Sequence, residues 1–207
     1  MTAVTTHEAG ERWELGDAPP PIPARPRVLL VGTAFAAAGC VMFVVGMLGI
    51  YLEQRALGRA HGATWLPQAV HIPLTQPNVM LFTLLMSSVT MQWAVSAIKD
   101  DDRRHAYMAL GVSLLLAVAF LNQGAYLFSL MGLNVSANQQ SVLIYSIAGA
   151  QVVMMVIAII FVVLMAFRAL AGQFTSRQHD GIAAAALFWH ATVAVYALIW
   201  FAVYVTK

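Results

Sequence analysis

Charge is scarce in this 207-residue chain: Asp, Glu, Lys and Arg make up 10% of it, and eleven basic against nine acidic groups leave a formal net charge of +2. So small a balance, carried by residues at the ends of apolar runs, excludes the basic patch of a nucleic-acid-binding domain. A single cysteine, Cys40, excludes a disulfide framework within the chain. The N-terminus lacks the basic start and short apolar core of a cleaved signal peptide, so the first apolar run is expected to stay as a membrane helix. No internal repeat of convincing length is present.

What the chain has instead is hydrophobic residues, 60% of the total, with a mean hydropathy of +0.76. These values are typical of integral membrane proteins. Five apolar stretches stand at about 28–50, 78–98, 106–131, 141–167 and 182–204. Each, at about 1.5 Å per residue, crosses roughly 30 Å of hydrocarbon as a helix. The expected fold class is therefore all-α, an integral membrane bundle of five transmembrane helices. All nine carboxylates fall outside these stretches. Arg12, Arg25, Arg27, Lys99, Arg103, Arg104, Arg168 and Arg177 fall on one side, and Arg55, Arg59 and Lys207 on the other. That asymmetry predicts a cytoplasmic N-terminus and a C-terminus on the outside.

Residues 1–27, ending in DAPPPIPARPR, form a polar, Pro-rich tail, and 28–207 form one helical domain. The loop from Leu52 to Gln76 is the longest connection and carries WLPQAVHIPLTQPN. The KDDDRR turn at 99–104 has the oxygen ligands of a cation site, but three consecutive Asp on a short turn read as a solvated charge cluster, and no metal is assigned to it. Eleven methionines are scattered, not spaced as a ligand set, and read as packing residues. Short loops predict that sequential helices pack antiparallel.

Helices associate in lipid through small residues and modest hydrogen bonds. Gly32, Ala36 and Cys40, with Gly39, Gly46 and Gly49, are therefore expected to face inward from the first helix. Thr83, Ser87, Thr90 and Ala94 give the second helix a hydroxyl-lined seam. Asn122, Gln123 and Tyr126 in the third span and Gln151 in the fourth need partners. They read either as an interhelical hydrogen-bond cluster or as a polar path for water, protons or a lipid headgroup. His190 lies about 12 Å inside the last span, on a face shared with Ala186, Ala194 and Ala197. Ligation of haem by two histidines would need a second histidine within a span, and there is none. A proton relay would need acids, which the spans also lack. His190 is thus expected to be a neutral, hydrogen-bonded structural residue.

The Trp189–His190 pair, the closing Trp200 and VYVTK, and PNVMLFTLLMSSVTMQWAVSAIK at 77–99 together resemble subunit III of the haem-copper cytochrome c oxidases, in its short five-helix bacterial form. FLNQGAY around Gln123, Gly149 in SIAGAQ and the GQFTSRQ loop support the resemblance, which covers about 28–207. It implies an accessory subunit with no catalytic residue, metal or cofactor of its own. It also implies haem and copper in partner subunits, contact with catalytic subunit I, subunit II and membrane lipids, and a place in the bacterial inner membrane. The sequence departs from the family pattern at its ionisable positions. The usual glutamate of the first span is replaced within AAAGCVMFVVG. The His-x-x-His after the glycine of the fourth span is replaced by Ala150-Gln151-Val152-Val153-Met154. A glutamate soon after Gln123 and an acid soon after His190 are missing, where Tyr126 and Val193 stand. Trp189, His190, Gln123, Asn122, Tyr126 and Gln151 are the residues expected to make structural, lipid or subunit contacts. The competing readings are an accessory subunit of a nitric oxide reductase-type complex, a small transporter or channel, and a membrane enzyme with its own cofactor.

Overall fold

The computed structural model describes residues 27–62, 74–131, 139–172, 174 and 179–206. The Pro-rich tail, the WLPQAVHIP stretch, the third loop and most of the fourth lie outside these residues. Among them stand five α-helices: α1 (Val28–Ala60), α2 (Thr75–Lys99), α3 (Arg103–Met131), α4 (Gln139–Leu170) and α5 (Asp180–Ile199). All five are long and apolar enough to cross a membrane, and no strand occurs among the described residues. The protein is an all-α, multi-pass membrane bundle.

Helix α1 outlasts its apolar run. The segment LEQRALGR was expected to begin the loop after Tyr51, yet Leu, Glu, Gln, Arg and Ala are strong helix formers and carry the helix on to Ala60. Its 33 residues span about 50 Å, well beyond the roughly 30 Å of hydrocarbon. The last turns, with Arg55 and Arg59, therefore stand above the apolar slab.

Helix α5 is the centre of the bundle, touching α1, α2 and α4, while α2 packs most extensively on α3. In their most apolar windows 61% of α5 is buried and only 17% of α1. The small residues Ala184, Ala185 and Ala186 let neighbouring helices approach α5 closely, and Trp189 fills the space below them, fully buried. Contrary to the expected chain of sequential neighbours, α1 leaves α2 and packs on α5 and α4. The connection between α1 and α2 is long enough to permit this, whereas the Asp100–Asp102 turn between α2 and α3 is not.

The expected inward face of α1 is also corrected. Gly32, Ala36, Gly39, Gly46 and Gly49 are exposed, and Cys40 is half-buried. The face that packs carries Thr33, Ala37, Val44, Leu48, Tyr51 and Arg55. Helix α1 meets α5 and α4 along the face that carries its larger side chains and leaves its glycines outside.

The last helix ends in a π-helical segment, Trp200–Val205. Around this segment the chain is held by α2 and α1. Tyr196 donates through its hydroxyl to the Pro77 carbonyl (3.3 Å), Trp200 Nε1 donates to Asn78 Oδ1 (2.7 Å), and Arg55 Nη1 donates to Thr206 Oγ1 (2.6 Å). The wider turn is a local departure of the kind that often accompanies such fixed side-chain positions. At the opposite end of the bundle Gly181 lies so close to α4 that an added Cβ would meet Met165 Sδ at 2.8 Å and the Phe174 ring at 2.9 Å.

Two opposite outcomes follow for glycine-to-alanine substitution. Gly181→Ala should lower stability by about 1–3 kcal/mol through overpacking. Gly39→Ala and Gly46→Ala, where a Cβ meets nothing, should each raise it by about 0.5–1 kcal/mol. Thermal or denaturant unfolding of the purified chain in detergent measures both.

Candidate functional site

The hydroxyl seam of α2 is the meeting place of the bundle. Thr83 and Thr90 lie within about 20° of each other around α2, while Ser87 and Ser88 follow about 40° and 140° round from Thr83, so this stretch can serve two helices. Toward α3, Thr83 and Gln123 hydrogen-bond at 3.3 Å, and the hydroxyls of Thr90 and Ser113 at 2.7 Å. Toward α5, Trp189 Nε1 donates to Ser87 Oγ (3.1 Å), and Ser87 Oγ donates to the Leu84 carbonyl (2.7 Å). One residue further along both helices, Ser88 Oγ and His190 Nδ1 share a 2.6 Å hydrogen bond. Two consecutive residues of α2 thus grip two consecutive residues of α5.

This doublet-to-doublet contact fixes the axial register and the rotation of α5 on α2 together. A slide by one turn, about 5.4 Å, breaks both bonds at once. Each interhelical hydrogen bond in a membrane contributes about 0.6 kcal/mol on average, so the pair specifies position more than it supplies stability. Trp189 is fully buried, while His190 is only half-buried. The face shared by His190 and Ala194 is therefore not the innermost one: Ala194 is exposed, and the line of Trp189, Val193 and Tyr196 faces the core instead.

Of the amides, Gln123 joins α3 to α2. Gln151 is 2% exposed, and its Nε2 donates to the Thr192 carbonyl at 3.2 Å, joining α4 to α5. Its Oε1 is buried without a protein partner, beside a cavity of about 30 Å³ also lined by Met80, Phe120, Leu127 and Tyr196. A space of that size holds about one water molecule. Asn122 and Tyr126 are exposed, so the expected cluster of Asn122, Gln123 and Tyr126 does not assemble. Asn122 is turned about 100° from its neighbour, which takes it off the α2-facing side of α3.

Gln123, Gln151 and His190 bond three different partners in different helix pairs. Among the described residues no group of three or more His, Cys, Asp or Glu could hold a metal ion.

Sequence reasoning reached Thr83, Ser87, Thr90, Gln123, Gln151, Trp189 and His190 but missed Ser88, Asn78 and Thr192. The Ser-Ser doublet of α2 and the Trp-His doublet of α5 were the available signal for Ser88.

At the loop end of the seam, His105 donates through its backbone amide to Asp102 Oδ1 (3.2 Å), and its ring pairs with Asp102 Oδ2. These two bonds, the backbone one foremost, hold the Asp102 carboxyl below its ordinary pKa. Trp93 lies against the His105 ring, with centroids 6.0 Å apart.

With this geometry in place, the sequence pattern of the family described as Cytochrome c oxidase subunit III matches residues 28–207, which include all five helices. The chain belongs to the cytochrome c oxidase subunit III family. Cytochrome c oxidase subunit 3 of Bos taurus is 27% identical over 185 residues, covering 88% of this chain and 71% of the relative. The Sus scrofa protein of the same name is 28% identical over 167 residues, covering 79% and 64%, and so is that of Tragelaphus imberbis. Readings as a nitric oxide reductase accessory protein or an independent transporter are not favoured by these relatives.

Replacing His190 by Gln, which keeps a hydrogen-bonding group for Ser88, should leave stability within about 0.5 kcal/mol, whereas His190→Leu and Ser88→Ala should each lower it by about 1 kcal/mol. A double-mutant cycle between Ser88 and His190 checks this, with non-additivity as the expected result. For the turn, a depressed carboxyl pKa favours the folded pairing at neutral pH, and the benefit disappears as pH falls through the lowered value. Protection of the amides across residues 100–105, measured against free-peptide exchange at the same pH, should therefore hold down to the usual Asp range, about pH 4, and fall below it. Asp102→Asn should remove that pH dependence.

Proposed function

We propose that this chain is the accessory, non-catalytic subunit III of a respiratory haem-copper terminal oxidase, where it braces the catalytic subunit and its boundary lipids. The observation that carries the reading is the family match across all five helices. The geometry supports it physically, because Thr83, Ser88, Thr90, Gln123, Gln151 and His190 are engaged in joining one helix to another. That leaves a rigid, electrically neutral block, suited to holding a neighbour in place and poorly suited to moving protons or ions.

In this reading haem and copper belong to the partner subunits, and electron transfer and oxygen reduction take place there. The partners are catalytic subunit I and subunit II. Residues 1–27 form a cytoplasmic Pro-rich tail, and 28–207 the membrane domain of a bacterial inner-membrane protein. The eight-to-three asymmetry of Lys and Arg supports an N-terminus in the cytoplasm and a C-terminus in the periplasm.

Affinity purification of the tagged chain from its native membranes, solubilised in mild detergent, tests the proposal. The expected result is a co-purifying haem-copper subunit, visible in the reduced-minus-oxidised optical spectrum. A chain that is recovered alone, or with a partner lacking haem, contradicts it.

A further inference from the structure

The helices around α5 leave one of its sides open. Helices α1 and α2 both pack on α5, and α1 with α4, α4 with α3 and α3 with α2 are in contact in turn, whereas α1 and α2 share at most a marginal contact. A groove therefore runs between α1 and α2 with α5 as its floor. Leu187, His190, Ala191, Ala194 and Leu198 form that floor. All five are half-buried or exposed, and they share about 100° of the helix surface. The alanines allow another backbone to approach closely.

Two hydrogen-bonding groups in this groove have no partner within the chain. Going round α2 from Thr83, which meets α3, Ser87 and Ser88 meet α5, and Gln92 follows at about 180°. Gln92 is exposed, lies about 10 Å in from Lys99 along the helix, and makes no hydrogen bond among the described residues. On the floor, Ser88 takes only Nδ1 of His190. Among the described residues the enclosed side-chain atoms without a partner are Arg55 Nε and Gln151 Oε1. Nε2 of His190, which has no bond either, is therefore accessible from outside the bundle.

Hydrocarbon offers these groups nothing, since acyl tails carry neither donors nor acceptors. A helix can supply both. Ser88 is level with His190, and Gln92 stands four residues, about 6 Å, further along α2. Two polar side chains one turn apart on a partner helix match that spacing. An amide donates and accepts, and an imidazole nitrogen does one or the other, so Ser, Thr, Asn or Gln would complete the pairs.

We infer that the groove between α1 and α2 receives a transmembrane helix of a neighbouring subunit, whose polar side chains bond Gln92 and His190 Nε2. The inference rests on the reading of the chain as an oxidase subunit, and names the surface by which that subunit is held.

The test places a photo-crosslinking benzoylphenylalanine at Leu85 on the α2 wall, at Leu198 on the floor, or at Leu115 on α3, all exposed, in the tagged full-length chain in its native membranes. Adducts are identified by mass spectrometry after purification. Leu85 and Leu198 should each give at least fivefold more adduct than Leu115 with a membrane-spanning peptide of a subunit that co-purifies with haem. Gln92→Leu should lower the amount of that subunit retained in stringent detergent at least twofold, and leave the unfolding temperature of the isolated chain unchanged. Co-purification of the haem subunit with lipid adducts alone in the groove, with adducts to a second copy of this chain, with yields equal to those at Leu115, or with retention unaltered by Gln92→Leu overturns the groove and leaves the subunit reading standing. Recovery of the chain with no haem subunit overturns both.

Discussion

In hydrocarbon a polar side chain finds its partner inside the protein or not at all, and this constraint decides how the bundle is put together. Water cannot satisfy a serine hydroxyl or an indole N–H halfway across a bilayer, so each such group selects a neighbour. Apolar contact does not select in the same way, because lipid tails solvate leucine as well as another helix does. The pairing of Ser87 and Ser88 with Trp189 and His190 is therefore the contact that defines where α5 lies on α2. The bonds from Gln151 to the Thr192 carbonyl and from Trp200 to Asn78 add further points along the same helix.

That hierarchy explains the unequal burial of the helices. Helix α5 receives polar contacts from α2 and α4 and close packing from its alanines, so it sits at the centre. Helix α1 has few polar side chains in its apolar run, and its bond to another helix comes from Arg55, near its far end. It consequently rests against α5 and α4 along one narrow face. Its glycines, which would serve close helix packing elsewhere, here meet open space.

Much of this was legible in the sequence, for reasons that can be stated. Five spans followed from the length of the apolar runs, because bilayer thickness fixes how many residues a helix needs. The α2 seam followed from hydroxyl residues at helical spacing, and the family resemblance from the order of short motifs along the chain. The orientation of α1 was not legible, since a glycine stripe shows that close approach is allowed without showing that a neighbour arrives. Asn122 and Tyr126 misled for a related reason: at i and i+4 they share a face, but it is the exposed one, turned from the side on which Gln123 meets Thr83. Ser88 was hidden because a helical wheel assigns one face to α2, whereas the structure uses two adjacent residues to straddle one contact.

The central claim is that the intramembrane polar residues of this subunit III relative hold helices together and take no part in chemistry. The most direct measurement is the oxygen turnover per haem of the assembled complex carrying Gln123→Met, Gln151→Met and His190→Gln together. The account predicts turnover and its proton stoichiometry equal to the parent complex wherever the subunit is incorporated in full, with any deficit confined to assembly. Full incorporation accompanied by a severalfold loss of turnover or of proton translocation would contradict it.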